Sequence, residues 1–363
     1  ARLPRDKSTP FTGSMSIAAT YKTYGTEFAE KSGTIIGKEL FVTGFNLNFA
    51  PTVDVNINPN NPVINVRSFG EDPNVVSKLA AAQLAAMQKQ NVLGTLKHFP
   101  GHGDTSVDSH TGLPRVDHTL EDVKKIDLAP FQFAIDQGIA KVIMTAHIQY
   151  PELDSTTFIS KSGQETIKPA TMSSKILTDL LREEMGYQGL IITDALDMKG
   201  ISLFFDKTEA VIETFNAGAD IALMPISIRN TQDLSKLTLL LDALENAVAQ
   251  GRIDLDTLQS SFQRIVKVKS KLNNVNDMTL TQKVEMAEAT LASKKSKAVE
   301  YQVAEAAITA LKGSGNLTNK AERLFILMPD ENKCLALKNA LKDEQAKFKV
   351  TCMNHLNFDL DKA

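Results

Sequence analysis

Short apolar runs alternate with stretches of helical periodicity over the first 225 residues. The apolar runs are FNLNFAPTVDV (45–55), VLGTLKHF (92–99), KVIMTAHIQY (141–150), GLIITD (189–194) and ADIALMP (219–225). Nearly continuous apolar runs of this length are typical of strands whose two faces are both buried in a parallel sheet. The alternation therefore predicts an α/β fold made of consecutive strand–helix units.

The predicted helices between these runs carry recognisable start and stop signals. Asp72 is expected to cap a helix that begins at Pro73, because its carboxylate accepts from free backbone N–H groups and proline fits the first helical position. Another helix is expected from Thr119 to Gly138, where glycine lets the helix end.

Polar residues with catalytic potential follow the apolar runs: Asp54, Lys97 with His98, His147, and Asp194. An α/β barrel builds its active site at the carboxyl ends of its strands, whereas a doubly wound sheet does so only near a switch point. Four consecutive strands with such ends favour a TIM-type (β/α)8 barrel. Only five strands are recognisable, so part of the barrel is expected to be irregular or to lie upstream.

The chain changes character after about residue 273. Residues 1–273 are predicted to form the barrel catalytic domain, and the polar, charged residues 274–302 a linker with an exposed helix. Residues 303–363 show a helix–strand–helix pattern, the beginning of a second, C-terminal α/β domain. Cys334 and Cys352 could pair as a disulfide in an oxidising compartment or remain two buried thiols.

Composition excludes several classes of protein. The chain has 363 residues, of which 42% are hydrophobic and 23% charged, and its formal net charge is −3. It has no basic cluster, so no nucleic-acid partner is expected. No apolar run approaches the roughly 20 residues of a membrane span. No signal peptide is visible, and a chain from which one had been removed would look the same. The sequence predicts no oligomeric state.

Residues 97–110, KHFPGHGDTSVDSH, contain three of the six histidines. His98 and His102 have the i, i+4 spacing of a zinc site on a helix, but the intervening proline and glycine make a helix improbable, so no metal is predicted. Pro100 to Gly103 are instead expected to form a flexible hinge.

Asp108 and His110 are the first candidate catalytic pair. In an extended segment, side chains two residues apart project to the same side. A carboxylate beside an imidazole fixes its tautomer and raises its basicity, which suits proton transfer near neutral pH. The alternative is a loop in which both side chains bond only to backbone groups.

Asp194 is the second candidate, since it directly follows an apolar strand at the predicted barrel mouth. Its alternative role is to cap the next helix. Asp197 competes with it but lies a turn further on, where helical surface is expected. A carboxylate nucleophile with a separate proton donor is the arrangement of retaining glycoside hydrolysis.

Four segments together resemble glycoside hydrolase family 3, in its β-N-acetylglucosaminidase branch. They are KHFPGHGDTSVDSH (97–110), NVRSFGEDP (65–73), IMTAHIQYP (143–151) and ITDALDM (192–198), and the likeness runs from about residue 10 to 225. The resemblance implies a retaining exo-enzyme that removes terminal N-acetylglucosamine from chitooligosaccharides or peptidoglycan fragments. It implies no metal or organic cofactor.

The resemblance also assigns the catalytic residues. It implies that Asp194 is the nucleophile and that His110, paired with Asp108 on a mobile loop, is the acid/base. An imidazole repels an anionic acceptor less than a carboxylate does, so phosphate could replace water as the acceptor.

By the same resemblance, Arg67, Lys97 and His98 grip sugar hydroxyls. His147 either lines the pocket or is a buried, satisfied histidine, and the two remaining histidines, His118 and His355, are expected at the surface.

Two alternatives stay open. One is a β-glucosidase or xylosidase of the same family, although in those enzymes the proton donor usually comes from the second domain. The other is an inactive sugar-binding homologue, because the resemblance implies that the first barrel strands and one sugar-binding aspartate precede Ala1. A second domain is typical of exported members, which favours a periplasmic, lipoprotein or secreted location slightly over the cytoplasm.

Overall fold

A computed structural model of the chain describes residues 3–107, 112–272, 278–309, 323–328, 330–343 and 349–354. The chain divides into two compact units, Ala1–Ile308 and Thr309–Ala363. The described strands are β1 (Leu47–Asn48), β2 (Leu93–Phe99), β3 (Val142–Thr145), β4 (Thr157–Ile159), β5 (Glu165–Ile167), β6 (Leu190–Ile192), β7 (Arg323–Met328) and β8 (Lys349–Asn354).

The described α-helices are α1 (Ser14–Ala19), α2 (Tyr21–Tyr24), α3 (Glu27–Val42), α4 (Pro73–Gln88), α5 (Leu120–Asp122), α6 (Ala129–Asp136), α7 (Lys199–Ser202), α8 (Lys207–Asn216), α9 (Leu234–Ala249), α10 (Leu255–Lys269), α11 (Leu280–Thr290), α12 (Lys294–Ala306) and α13 (Glu331–Asp343). Short 3-10 turns lie at Asn65–Arg67, Ala170–Met172 and Thr231–Asp233, and π-helical segments at Val123–Asp127 and Lys175–Glu184. In the described part of the chain, no helix is both long and apolar enough to cross a bilayer.

The central sheet is parallel and has the order β1-β2-β3-β6, which is also the order along the chain. Leu47 pairs with Leu93, Thr95 with Val142, and Val142 with Leu190. Helices connect the strands, as parallel pairing requires. The predicted α/β fold with a parallel sheet is therefore confirmed, and β4 and β5 form a separate antiparallel hairpin.

The predicted strand at residues 219–225 is reduced to a single bridge, between Ile192 and Ile221. Two backbone N–H groups here bond to side chains, where a regular strand pair would bond backbone to backbone. Ile191 N donates to the Asp220 carboxylate at 2.8 Å, and Leu223 N donates to the Thr193 hydroxyl oxygen at 2.9 Å. The chain therefore follows the edge of β6 without forming a regular strand.

The predicted helix starts at Asp72 and Thr119 are confirmed. Asp72 accepts from two backbone N–H groups of α4, and Thr119 accepts from Asp122 N at the start of α5. The helix expected from Thr119 to Gly138 is interrupted by the π-helical turn Val123–Asp127. Pro130, at the start of α6, has no N–H to continue a regular ladder through this turn.

The main core of the first unit lies between the sheet and α3, α4 and α6. Val303 of α12 is fully buried in this core, and Ala292 N donates to Glu39 of α3 at 3.0 Å. Both α11 and α12 thus belong to the first unit, whose end at Ile308 lies slightly beyond the predicted start of the second domain at residue 303. The functional domain assignment stays a prediction.

The second unit contains β7, α13 and β8, with the two strands paired in parallel. Cys334 of α13 and Cys352 of β8 form a disulfide with a Cα–Cα distance of 5.7 Å. Of the two states that the sequence left open, the structure therefore has the paired one. His355, expected at the surface, lies outside the described residues.

Candidate active site

A buried carboxylate organises the end of β2. Asp54 accepts from three donors: the backbone N of His98 at 3.0 Å, His98 Nδ1 at 2.8 Å, and the backbone N of His102 at 2.8 Å. Burial alone would raise the pKa of Asp54, but the His98 ring and these hydrogen bonds lower it to about 2. Because a carboxylate only accepts, the Nδ1 of His98 carries a proton and the ring is held in one orientation.

The other ring nitrogen of His98 faces Asp194. The Nε2 of His98 lies 4.0 Å from Asp194 Oδ2, while Asp194 Oδ1 accepts from Ala195 N at 2.8 Å. Burial acts to raise the pKa of Asp194, yet the imidazoles of His98 and His147, the Ala195 N–H and the Lys97 ammonium hold it below its ordinary value. Asp194 is thus ionised at neutral pH, with its side chain about 22% exposed.

Asp194 does not cap a helix, since the next helix, α7, begins only at Lys199. Its backbone N donates to Thr145 O at the end of β3, at 3.2 Å. The carboxylate therefore lies just beyond the carboxyl ends of β3 and β6. Carboxyl ends of parallel strands meet at one edge of a sheet, which is why Asp54, Asp194 and His98 come together.

His147 is buried behind Asp194. Its Nε2 donates to the Ala195 carbonyl at 3.0 Å, and its Nδ1 lies 2.9 Å from Thr171 Oγ1. This is the geometry of a buried, satisfied histidine that holds the backbone beside Asp194. Direct substrate binding by His147 stays a prediction.

Lys97 and Arg67, the two cations expected to bind sugar hydroxyls, differ in burial and in the groups on which their charges act. Lys97 is half-buried in β2, close enough to Asp194 to lower its pKa. Arg67 is exposed and donates from Nη1 to Val63 O at 3.1 Å. Its charge acts on His102, whose pKa is lowered to about 4, first by burial and then by His98.

Residues 100–105 are packed, and the prediction of a flexible hinge at Pro100 to Gly103 is wrong. All four residues from Pro100 to Gly103 are buried. A Cβ on Gly103 would lie 1.7 Å from Val55 O, and a Cβ on Gly101 would lie 2.8 Å from Asp127 Oδ1. The glycines permit close approach of the backbone to neighbouring groups.

Comparison with known proteins now decides the family. A model of the glycosyl hydrolase family 3 N-terminal domain matches residues 2–268. The chain belongs to glycoside hydrolase family 3. It is 48% identical over 364 residues to β-hexosaminidase A of Pseudoalteromonas piscicida, covering 99% of this chain and 60% of that relative. The family 3 chain thus spans about three-fifths of that relative's length.

Two solved structures of similar fold are also relevant to this family 3 chain. One is a glycoside hydrolase family 3 β-N-acetylglucosaminidase from Paenibacillus sp. str. FPU-7, with 31% identity, a TM-score of 0.76, and coverage of 96% of this chain and 63% of that one. The other is the β-glucoside phosphorylase BglX bound to 2FGlc, with 25% identity, a TM-score of 0.80, and coverage of 98% and 62%.

In this family 3 chain, the predicted acid/base pair, Asp108 and His110, lies outside the described residues. The structure describes the chain on both sides, up to residue 107 and again from residue 112. Of the predicted site residues, it brings His98, Asp194, Lys97 and His147 together.

His118 is a correction to the sequence analysis, because it is not a surface histidine. Its side chain is about 12% exposed and lies between Asp127, at 2.7 Å, and Asp104, at 2.9 Å. A sequence signal existed, since Asp127 follows Val123 and precedes Phe131 at four-residue intervals on an apolar helical face. A carboxylate on such a face requires a buried partner.

Proposed function

We propose that this chain carries the catalytic site of a retaining exo-β-N-acetylglucosaminidase, which cleaves terminal N-acetylglucosamine from chitooligosaccharides or peptidoglycan fragments. The 48% identity to a β-hexosaminidase supports this reaction class. The similarity to a structurally characterised β-N-acetylglucosaminidase supports the same sugar. The parallel sheet in chain order supports a (β/α)8 barrel as the complete architecture.

The observation that carries the proposal is the ionised Asp194 at the carboxyl end of β6. A nucleophile must be unprotonated, and the low pKa of Asp194 meets that requirement. In the first step, Asp194 attacks the anomeric carbon while His110 protonates the departing oxygen. In the second, His110, oriented by Asp108, takes a proton from water as the water displaces Asp194.

Substrate binding is proposed for the cations around this carboxylate. Lys97 and His98 would hold hydroxyls of the terminal sugar, with Arg67 as a further contact. Asp54 keeps His98 in place by accepting from its Nδ1, so Nε2 is left to face the sugar and Asp194.

Hydrolysis of 4-nitrophenyl β-N-acetylglucosaminide by the full-length protein tests the proposal. The rate should exceed that on the matching glucoside, and NMR should show that the first sugar formed is the β-anomer. Asp194→Asn should lower kcat by at least about 10³-fold, whereas Asp197→Asn should leave it nearly unchanged. A faster rate on the glucoside, or an α-anomer as first product, would reject it.

Phosphorolysis is a second candidate, favoured by the similarity to a β-glucoside phosphorylase. In phosphate buffer, phosphate would then take the place of water in the second step. Sugar 1-phosphate among the products would support this acceptor, and free sugar alone would reject it.

A further inference from the structure

His118 joins two carboxylates through both of its ring nitrogens. Nδ1 lies 2.7 Å from Asp127 Oδ2, and Nε2 lies 2.9 Å from Asp104 Oδ2. An imidazole that bonds to two ionised carboxylates donates from both nitrogens and is an imidazolium. Burial raises the pKa of Asp127, and the hydrogen bond and charge of His118 act against that rise. The hydrogen bond to Asp127 outweighs the effect of burial and raises the pKa of His118 to about 9.

This charged cluster connects the two ends of one segment of chain. Asp104 precedes Asp108 by four residues, and His118 follows His110 by eight. Asp127 anchors the cluster to the π-helical turn before α6 and is almost completely buried.

Other contacts fix the same two ends. On the first side, Thr105 is buried, with its Oγ1 2.5 Å from His102 Nδ1. On the second side, Val116 N donates to Gln149 O at 3.0 Å, and Gln149 N donates to Pro114 O at 2.9 Å. The charged cluster ties the first side directly to the second, because Asp104 lies on one and His118 on the other.

We propose that His118 is a positioning residue for the acid/base pair, because its charge between Asp104 and Asp127 fixes the ends of the segment that carries Asp108 and His110. This inference rests on the proposed function. A cluster that only stabilised the fold would affect all substrates equally. Loss of a positioning role should slow mainly those substrates whose leaving oxygen must be protonated.

Leaving-group dependence separates these two roles. In the full-length protein, His118→Gln should lower kcat/KM about 10- to 100-fold on 4-methylumbelliferyl β-N-acetylglucosaminide, whose leaving group benefits from protonation. On the 2,4-dinitrophenyl glycoside, which departs without a proton, the loss should stay below about threefold. His118→Arg, which keeps a positive charge and several donors, should restore most of the lost rate.

Two further variants distinguish a loss of positioning from a general loss of stability. Asp104 is about one-third exposed, so Asp104→Asn breaks the same cluster with less effect on the core and should show the same substrate dependence. Arg264→Gln removes a partner of the buried Asp220 in a different ion cluster. It should affect both substrates equally.

His110→Ala distinguishes failure of this inference from failure of the proposed function. If His110→Ala shows the leaving-group dependence but His118→Gln and Asp104→Asn lower both rates equally, the positioning role is overturned and the proposed function stands. If His110→Ala itself lacks that dependence, the proposed acid/base residue is wrong, and the positioning role falls with it.

Discussion

The Asp54 carboxylate accepts from two backbone N–H groups and from the His98 ring, so it determines both the shape of the chain after β2 and the tautomer of His98. Asn at position 54 would keep the size but lose the charge, and its amide could turn an NH₂ group toward His98. We expect Asp54→Asn to lower kcat/KM about 10- to 100-fold, by analogy with other groups that orient a functional imidazole.

The matched control for that change is Asp197→Asn, which removes an exposed carboxylate in the same region. Steady-state kinetics on an aryl β-N-acetylglucosaminide measure both variants. Equal activity of Asp54→Asn and Asp197→Asn would contradict the orienting role.

His118 makes stability depend on pH. Asp127 and Asp104 flank its ring, the Tyr150 hydroxyl interacts with both of these carboxylates, and the folded-state pKa of His118, about 9, lies above the ordinary 6.5. Folding therefore favours the charged ring. The resulting stabilisation is complete below about pH 6.5 and is lost as the pH rises through about 9.

Urea unfolding at a series of pH values measures this effect. The free energy of unfolding of the wild type should fall between about pH 6.5 and pH 9, and His118→Gln should reduce that fall. The same pH slope in both proteins would show that His118 is not the group responsible.

Single residues were predictable where a local pattern is specific. Asp194 stood out because a carboxylate after a buried strand has few structural reasons to be there. The partnership of Asp54 with His98 spans 44 positions in the chain and is created by the pairing of adjacent strand ends, so no local pattern contains it. His118 was assigned to the surface because its two partners lie in different segments.

At the level of elements, residues 100–103, which follow β2, are held in place by close backbone packing. We expect Gly103→Ala to destabilise the protein by about 3 kcal/mol, because the new Cβ would overlap the Val55 carbonyl and force the backbone apart. Activity should fall as well, because Gly103 is next to His102, whose backbone N–H binds the same Asp54 carboxylate that orients His98. Chemical unfolding and steady-state rates measure the two effects.

Gly112→Ala is the control in the same part of the chain. Among the described residues, a Cβ at Gly112 would meet only Val107 Cγ1, at an ordinary 3.7 Å. This variant should lose less than about 1 kcal/mol. Similar losses for the two alanine variants would contradict the packing argument.

Helix starts were predictable because caps are local. Asp72 and Thr119 satisfy free N–H groups within three residues of themselves. The π-helical turn at Val123–Asp127 was not predicted, although Pro130, which has no N–H for a regular helical ladder, follows it closely. Gly101 and Gly103 led to the wrong prediction of a hinge, because glycine is used both in flexible segments and where the backbone packs closely.

At the scale of the whole molecule, the alternation of apolar runs and helices was sufficient to predict a parallel α/β sheet. It did not place α11 and α12 in the first unit, because residues 274–302 were predicted to be a linker with an exposed helix and residues from 303 to begin a second domain. Val303 is buried in the main core, and Ala306 of the same helix packs against it. Two buried side chains on a polar helix, Ser296 and Val303, give only a weak sequence pattern.

The central claim is that Asp194 of this family 3 chain forms a covalent bond to the sugar. The most direct measurement is to inactivate the full-length protein with an activated 5-fluoro-N-acetylglucosaminyl fluoride, which slows release of the intermediate, and to identify the labelled peptide by mass spectrometry. We expect the sugar on Asp194, within GLIITDALDM. A label on Asp197 or on any other residue, or turnover without a trapped sugar, would contradict the account.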